Sequence, residues 1–247
     1  MKIAKFGVPV EHLGLFAKFW EPGKVKTRLA AAIGNALACQ IYEAFLMHLL
    51  DRLGETANDR TIVFSPSHRE REFRSAAGPR WQCQPQSEGH LGQRMNAFFQ
   101  NCFRDNASAK VMVIGADCPH LTDVQIDTAF QMLDRHDVVL GPSCDGGYYL
   151  VGMNAPARPW LFEGITWSTP TVLRLTIDKL QQQRSSFALL DTLTDVDDLD
   201  SLTQLIAQAK QGNTLDPALR LQLQQFEMLL QHQSVTDPIS RPEEPSQ

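Results

Sequence analysis

The chain has 247 residues, 43% of them hydrophobic, with a formal net charge of −5 and a pI near 5.8. That acidity argues against a general nucleic-acid surface, which needs clustered Lys and Arg, so any anionic ligand must be met by a local group of cations. Five cysteines (Cys39, Cys83, Cys102, Cys118, Cys144) without C-x-x-C spacing suggest neither a disulfide framework nor a zinc site.

Residues 1–12 carry no clear periodicity and read as a variable arm or an additional edge strand. They lack the apolar core and cleavage site of a signal peptide, and no stretch approaches a membrane span, so a cytoplasmic protein without membrane insertion is expected. The first strand is predicted at Leu13 to Phe16. After the stretch Ala17 to Arg28, one long helix is predicted from Leu29 to Leu53, because Leu29, Ile33, Leu37, Ile41, Phe45, Leu49 and Leu53 recur every four residues. Gly54 marks its expected end. Strands follow at Thr61 to Phe64 and Trp81 to Pro85, with a short charged helix at Ser67 to Arg74 between them. Glu88 to Cys102 reads as a helix packed through Leu91, Met95, Phe98, Phe99 and Cys102.

Val111 to Ile114 is a continuous apolar run, the signature of a strand covered on both faces. It ends in Gly115-Ala116-Asp117-Cys118-Pro119, so Asp117 falls where open α/β sheets place their ligands, beyond the carboxyl ends of the strands. The alternative is that Asp117 only hydrogen-bonds its own turn. A helix is expected from Asp123 to Asp134 with Thr122 as its cap, then strands at Asp137 to Leu140 and Tyr148 to Met153. Ser168 is expected to start a helix with Pro170 in its first turn, followed by a strand at Phe187 to Leu190 and helices at Leu202 to Ala209 and Pro217 to Leu230. One domain over residues 13–231 and a disordered tail over residues 232–247 are expected. Strands alternating with helices predict an α/β fold around a largely parallel sheet.

Four motifs carry chemistry. Around Pro22-Gly23, Lys18, Lys26 and Arg28 sit between a strand and a helix, where cations, backbone donors and the helix N-terminus can converge on phosphates; the alternative is a solvated basic loop. Neither Walker A nor dinucleotide-fingerprint spacing is present. Asp117 and the pair Asp195 and Asp197 lie at strand ends or before helices, and carboxylates with phosphate oxygens and water suit Mg²⁺ or Mn²⁺. Helix capping is the alternative for Asp195 to Asp200, and at least one of these acids is expected to do only that. Asp145-Gly146-Gly147-Tyr148-Tyr149 combines an acid able to accept sugar hydroxyls or act as a base with glycines that let a ligand approach the backbone. Glu88 to Arg94 places small residues and an arginine at a helix start, for a nucleotide or merely to close the turn. His90 and His120 are assigned no catalytic role.

Taken together, these motifs resemble a bacterial family with the glycosyltransferase-A, nucleotide-diphospho-sugar transferase fold, some members of which are assigned to arsenosugar biosynthesis or associated with radical-SAM proteins. Its pattern corresponds here to Phe16 to Leu29, Gly89 to Arg94, Gly115 to Pro119, Asp145 to Gly152, Trp167 to Thr169 and Asp195 to Leu202. The departures are Trp20 for a proline, His90 for an Asp, Gln93 for a Glu, and Asp198-Leu199 for Thr-Pro. The Lys26-Thr27-Arg28-Leu29 run is also similar to phospholactate guanylyltransferase.

The resemblance implies a single-domain, Rossmann-like α/β fold and a metal-dependent glycosyltransferase with a nucleotide-diphospho-sugar donor and a small-molecule acceptor. Asp117 and Asp197 would hold Mg²⁺ or Mn²⁺, and Asp117 and Asp145 would be the catalytic acids. Lys18, Gly23, Lys26, Thr27, Arg28, Gly89 and Arg94 would bind the nucleotide and its phosphates, and Gly146, Gly147 and Tyr148 the substrate. A nucleotidyltransferase joining a nucleoside triphosphate to a phosphorylated small molecule is the rival. A catalytically inactive nucleotide-binding protein is the third reading. Glycosyl transfer is favoured because the loop after Lys18 lacks the several glycines usual around a triphosphate.

Overall fold

The computed structural model describes residues 9–211 and 215–236. Seven strands form one sheet: β1 (Glu11–Lys18), β2 (Asp59–Ser65), β3 (Gln82–Pro85), β4 (Lys110–Gly115), β5 (Val138–Pro142), β6 (Tyr148–Asn154) and β7 (Phe187–Leu189), in spatial order β3-β2-β1-β4-β6-β5-β7. Only β6 runs antiparallel to its neighbours, so the sheet is largely parallel, as expected. Eight α-helices flank it among the described residues: α1 (Thr27–Ile33), α2 (Asn35–Arg52), α3 (Glu70–Ala77), α4 (Leu91–Asp105), α5 (Asp123–Met132), α6 (Val172–Gln182), α7 (Leu199–Gln211) and α8 (Pro217–Thr236). The result is a single α/β domain around a largely parallel sheet, as expected.

The period-two alternation of the strands divides the core. Leu13, Leu15, Met112 and Ile114 face α2, α3 and α5. Phe16, Val111 and Val113 face the opposite layer, where Phe98 and Phe99 of α4 and Leu180 of α6 lie. Gly14 admits this second layer closely, since a Cβ there would stand 2.5 Å from the Phe98 ring. A third cluster joins Leu29, Ile41 and Phe45 to α7 and α8.

Several boundaries differ from expectation. The long helix is two helices, because Gly34 takes φ +84 and breaks the ladder between α1 and α2. The apolar stripe crosses that break and still lines one cluster, which is why it reads as continuous. The Ser168 helix begins only at Val172: Ser168 has φ +62, the backbone of Pro170 packs against Gly146, and Leu173 in the first turn donates its N–H to the Gly146 carbonyl at 2.9 Å, so this segment docks on another loop. β1 begins at Glu11, two residues inside the segment expected to be an arm, while residues 1–8 lie outside the described residues. Helix α8 continues to Thr236, past the expected start of a disordered tail at residue 232; residues 237–247 lie outside the described residues.

Candidate active site

The sheet changes winding direction between β1 and β4: β2 and β3 extend from one side of β1, while β4 leads to the other side. Loops leaving the carboxyl ends of two such strands diverge, and the crevice between them is where open α/β sheets hold ligands. A cavity of about 600 Å³ opens there. Its wall includes Lys18 at the end of β1, Lys24 to Arg28 from the following loop, Arg94 of α4, Asp117 beyond β4, Tyr148 of β6, and Asp197 before α7.

At the floor Lys26 joins the two acids. Its Nζ donates to Asp117 Oδ1 and, at 2.9 Å, to Asp197 Oδ1. The lysine side chain is 2% exposed, whereas the Asp117 and Asp197 side chains are 49% and 37% exposed, so the ammonium is buried behind two carboxylates that face the cavity. Burial works against the charged lysine, but Asp117 and Asp197 more than offset it and hold its pKa above the ordinary lysine value. Burial likewise opposes the charge on Asp197, and Lys26 holds that carboxyl below the usual range.

The local folding explains this placement. Val25 is buried in the core and Lys26 takes a left-handed backbone (φ +46, ψ +46) immediately before α1, turning its side chain inward. The acidic segment is tied to the end of β4 by Val196 N–H donating to the Asp117 carbonyl at 2.9 Å. Asp198 behaves as the expected capping acid: its Oδ1 accepts from Ser201 N–H at 2.9 Å at the start of α7. Asp195 lies beside Asp197 and Asp145, and its carboxyl is pushed up to about 6, first by burial and then by those two like charges.

The Gly89 to Arg94 motif closes a turn and aims an arginine. His90 caps α4, its Nδ1 accepting from Gln93 N–H at 3.4 Å while Gln93 Oε1 accepts from His90 N–H at 3.0 Å. Arg94 then donates through Nε to the Gly89 carbonyl at 2.7 Å and through a terminal nitrogen to Gln86 Oε1 at 3.0 Å, which sets the guanidinium against the cavity. Trp20 packs against Phe19 and Phe73, with ring centroids 4.8 and 5.3 Å away, so the replacement of the expected proline is an aromatic packing change.

Of the residues expected in the site, Lys18, Lys26, Thr27, Arg28, Arg94, Asp117, Tyr148 and Asp197 line the cavity. Gly23, Gly89, Asp145, Gly146 and Gly147 do not. Gly23 turns the basic loop with φ +78, and Gly89 supplies the carbonyl that holds Arg94. Asp145 instead closes its own loop, Oδ1 accepting from Ser143 Oγ and from Gly147 N–H at 2.8 Å. Gly146 packs against the backbone of Pro170. Sequence reasoning missed Lys24, Gln86, Leu91 and Ser168, all on the cavity wall. Lys24, Leu91 and Ser168 fall inside the Phe16 to Leu29, Gly89 to Arg94 and Trp167 to Thr169 motifs, whereas Gln86 had no signal.

Residues 49–169 match the family model DUF2064, described as an uncharacterized protein conserved in bacteria. That span holds Gly89, Arg94, Asp117 and Tyr148, while Lys26 and Asp197 fall outside it. A 3-phospho-D-glycerate guanylyltransferase of Phenylobacterium zucineum (strain HLK1) is 33% identical over 134 residues, which cover 53% of this chain and 61% of the relative's length. A protein of Desulfovibrio desulfuricans G20, assigned to the nucleotide-diphospho-sugar transferases, has a crystal structure that superposes with a TM-score of 0.83 at 29% identity; the match covers 91% of this chain and 98% of that one. The resemblances to a nucleotide-diphospho-sugar transferase fold and to guanylyltransferases therefore both hold.

No helix among the described residues is long and apolar enough to cross a membrane.

Proposed function

We propose that the protein is a nucleotidyltransferase that transfers a nucleoside monophosphate, guanosine being the first base to test, onto the phosphate of a small phosphorylated acid. The observation that carries this reading is the charge of the cavity: among the described residues, Lys18, Lys24, Lys26, Arg28 and Arg94 meet two wall carboxylates, Asp117 and Asp197. Such an excess of cations suits a triphosphate and a second phosphate together. The guanylyltransferase relative supports the same chemistry and suggests a phosphorylated three-carbon acid as acceptor. In the reaction, an oxygen of the acceptor phosphate attacks the α-phosphorus, the α–β bridging P–O bond breaks, and pyrophosphate leaves with that electron pair.

In this reading Lys18, Lys24 and Arg28 neutralise the triphosphate from the β1 loop, and Arg94 meets it from α4. Thr27 starts α1 and lines the same wall. The Gly146-Gly147 loop and Tyr148 face the acceptor side, with Asp145 holding that loop closed.

Asp117 and Asp197 fit a hard divalent cation: the lysine bonds fall on Oδ1 of each carboxylate, and both side chains stay open toward the cavity. Mg²⁺ or Mn²⁺ held by them, with phosphate oxygens and water completing its shell, would supply charge stabilisation on the phosphates.

The few glycines in the loop after Lys18 favour glycosyl transfer on sequence alone. Gly23 and Lys26 both adopt left-handed backbone, so the loop makes two sharp turns with a single glycine. Glycine count therefore does not separate the two chemistries, and the relative tips the balance. The inactive-binder reading has no observation in its favour, since both wall acids converge on the cavity.

Thermal stability against UDP, GDP, UDP-sugars, CTP, GTP and ATP, each with and without Mn²⁺, tests the proposal. GTP with Mn²⁺ should stabilise most, by about 2.7 kcal/mol at roughly 100 times its dissociation constant. Stabilisation confined to a nucleotide sugar would return the protein to glycosyl transfer.

A further inference from the structure

The proposed metal ligands are already bridged by a cation of the chain itself. Lys26 Nζ donates to Oδ1 of both Asp117 and Asp197, and these acids come from segments 80 residues apart that Val196 N–H and the Asp117 carbonyl lock together. The bridge is built in: Val25 anchors the backbone in the core, the left-handed turn at Lys26 directs the side chain inward, and that side chain is 2% exposed.

We propose that Lys26 is an internal counter-ion that keeps divalent metal out of the Asp117–Asp197 pair until phosphates draw its ammonium toward the cavity. A divalent ion held by both carboxylates would compete with the Lys26 ammonium for the same negative charge, and the buried ammonium behind the half-exposed carboxylates opposes a second cation placed on them. The lysine has four rotatable side-chain bonds and lines the cavity, so it reaches incoming phosphates without movement of the fixed backbone. Metal and phosphate ligand then enter together: each makes room for the other, and the coupling is reciprocal. A metal ion without nucleotide binds weakly, which prevents the site from filling with cation alone. The inference rests on the metal site proposed above and is independent of whether the transferred group is a nucleotide or a sugar.

Titration of Mn²⁺ alone, followed by the loss of its free-ion electron paramagnetic resonance signal, tests the idea on the full chain. Wild type should bind weakly, and Lys26→Met and Lys26→Gln should each bind roughly tenfold more tightly or better. Lys26→Arg, which keeps the positive charge, should remain as weak as wild type. Lys24→Met removes a cation from the same cavity that does not bridge the acids, and should change affinity by less than about threefold, the scale of a screened charge. Asp117→Asn added to Lys26→Met should abolish the gain.

The proposal is overturned if folded Lys26→Met or Lys26→Gln binds Mn²⁺ no more tightly than Lys24→Met. If neither folds, wild type decides: micromolar binding of Mn²⁺ without nucleotide overturns it, and millimolar or weaker binding supports it. No nucleotide or acceptor is present in these titrations, so failure of nucleotidyl transfer would show in a separate assay.

Discussion

Gly146→Ala should destabilise the protein and loosen the acceptor side of its cavity. Gly146 has φ +87, a conformation that costs a residue with a Cβ about 1–2 kcal/mol. Its position adds a second cost. A Cβ would overlap the Pro170 carbonyl oxygen and stand 2.6 and 2.7 Å from the carbonyl carbon and Cα of that residue. These are backbone atoms, so neither partner escapes by changing a rotamer, and overlap of this kind costs about 1–3 kcal/mol. The expected total is therefore about 2–5 kcal/mol. Gly164→Ala is the matched control: Gly164 has φ +64 but nothing within 4 Å of the added Cβ, so it should show the conformational cost alone. Urea unfolding of both variants, with unchanged m-values, measures the difference. Gly146→Ala should also weaken acceptor binding, because Gly146 packs against Pro170, two residues after Ser168 on the cavity wall. Equal midpoints for the two variants would refute the reasoning, since contact with Pro170 would then contribute nothing to loop docking.

Burial holds the His120 imidazole down to about 4, against an ordinary value near 6.5, so the unfolded chain takes up the proton first as pH falls. Its contribution is fully present above about pH 6.5 and is lost toward pH 4, by up to about 3 kcal/mol; His120→Gln should flatten that acid limb in urea melts at stepped pH, and an unchanged limb would contradict it. Asp198→Ala removes the cap shared with Ser201 at the start of α7 and should cost about 1 kcal/mol in the same melts, with no cost if the cap is unimportant. Arg94→Leu should weaken triphosphate binding by about tenfold or more through loss of a charge-assisted contact, measured calorimetrically; unchanged affinity would remove Arg94 from the site.

What the sequence conveyed followed from short-range physics. The apolar run at Val111 to Ile114, ended by Asp117, identified both a central strand and the end of the sheet that carries the site. Lys18, Lys26 and Arg28 were legible as cations clustered around a Pro-Gly turn between a strand and a helix, a pattern that by itself reads equally as a solvated loop. The break at Gly34 was hidden by an apolar stripe that continues across it, and the delayed start of α6 by tertiary docking of Pro170 and Leu173 on Gly146. Asp145 looked like a site acid because of its flanking glycines, yet those glycines serve its own turn and the contact with Pro170. Gln86 had no motif to mark it: only the three-dimensional crevice brings the residue after β3 beside Arg94. The bridge from Lys26 to Asp117 and Asp197 joins parts of the chain 91 and 171 residues apart, a separation that no local pattern encodes.

The most direct test of nucleotidyl transfer is ³¹P NMR of the purified protein with GTP, Mg²⁺ and a panel of phosphorylated three-carbon acids. The account predicts inorganic pyrophosphate together with a new diphosphate in which the guanosine phosphorus is joined to the acceptor phosphate, both absent with Asp117→Asn. Unchanged GTP throughout the panel, alongside release of a nucleoside diphosphate from a nucleotide sugar, would contradict it.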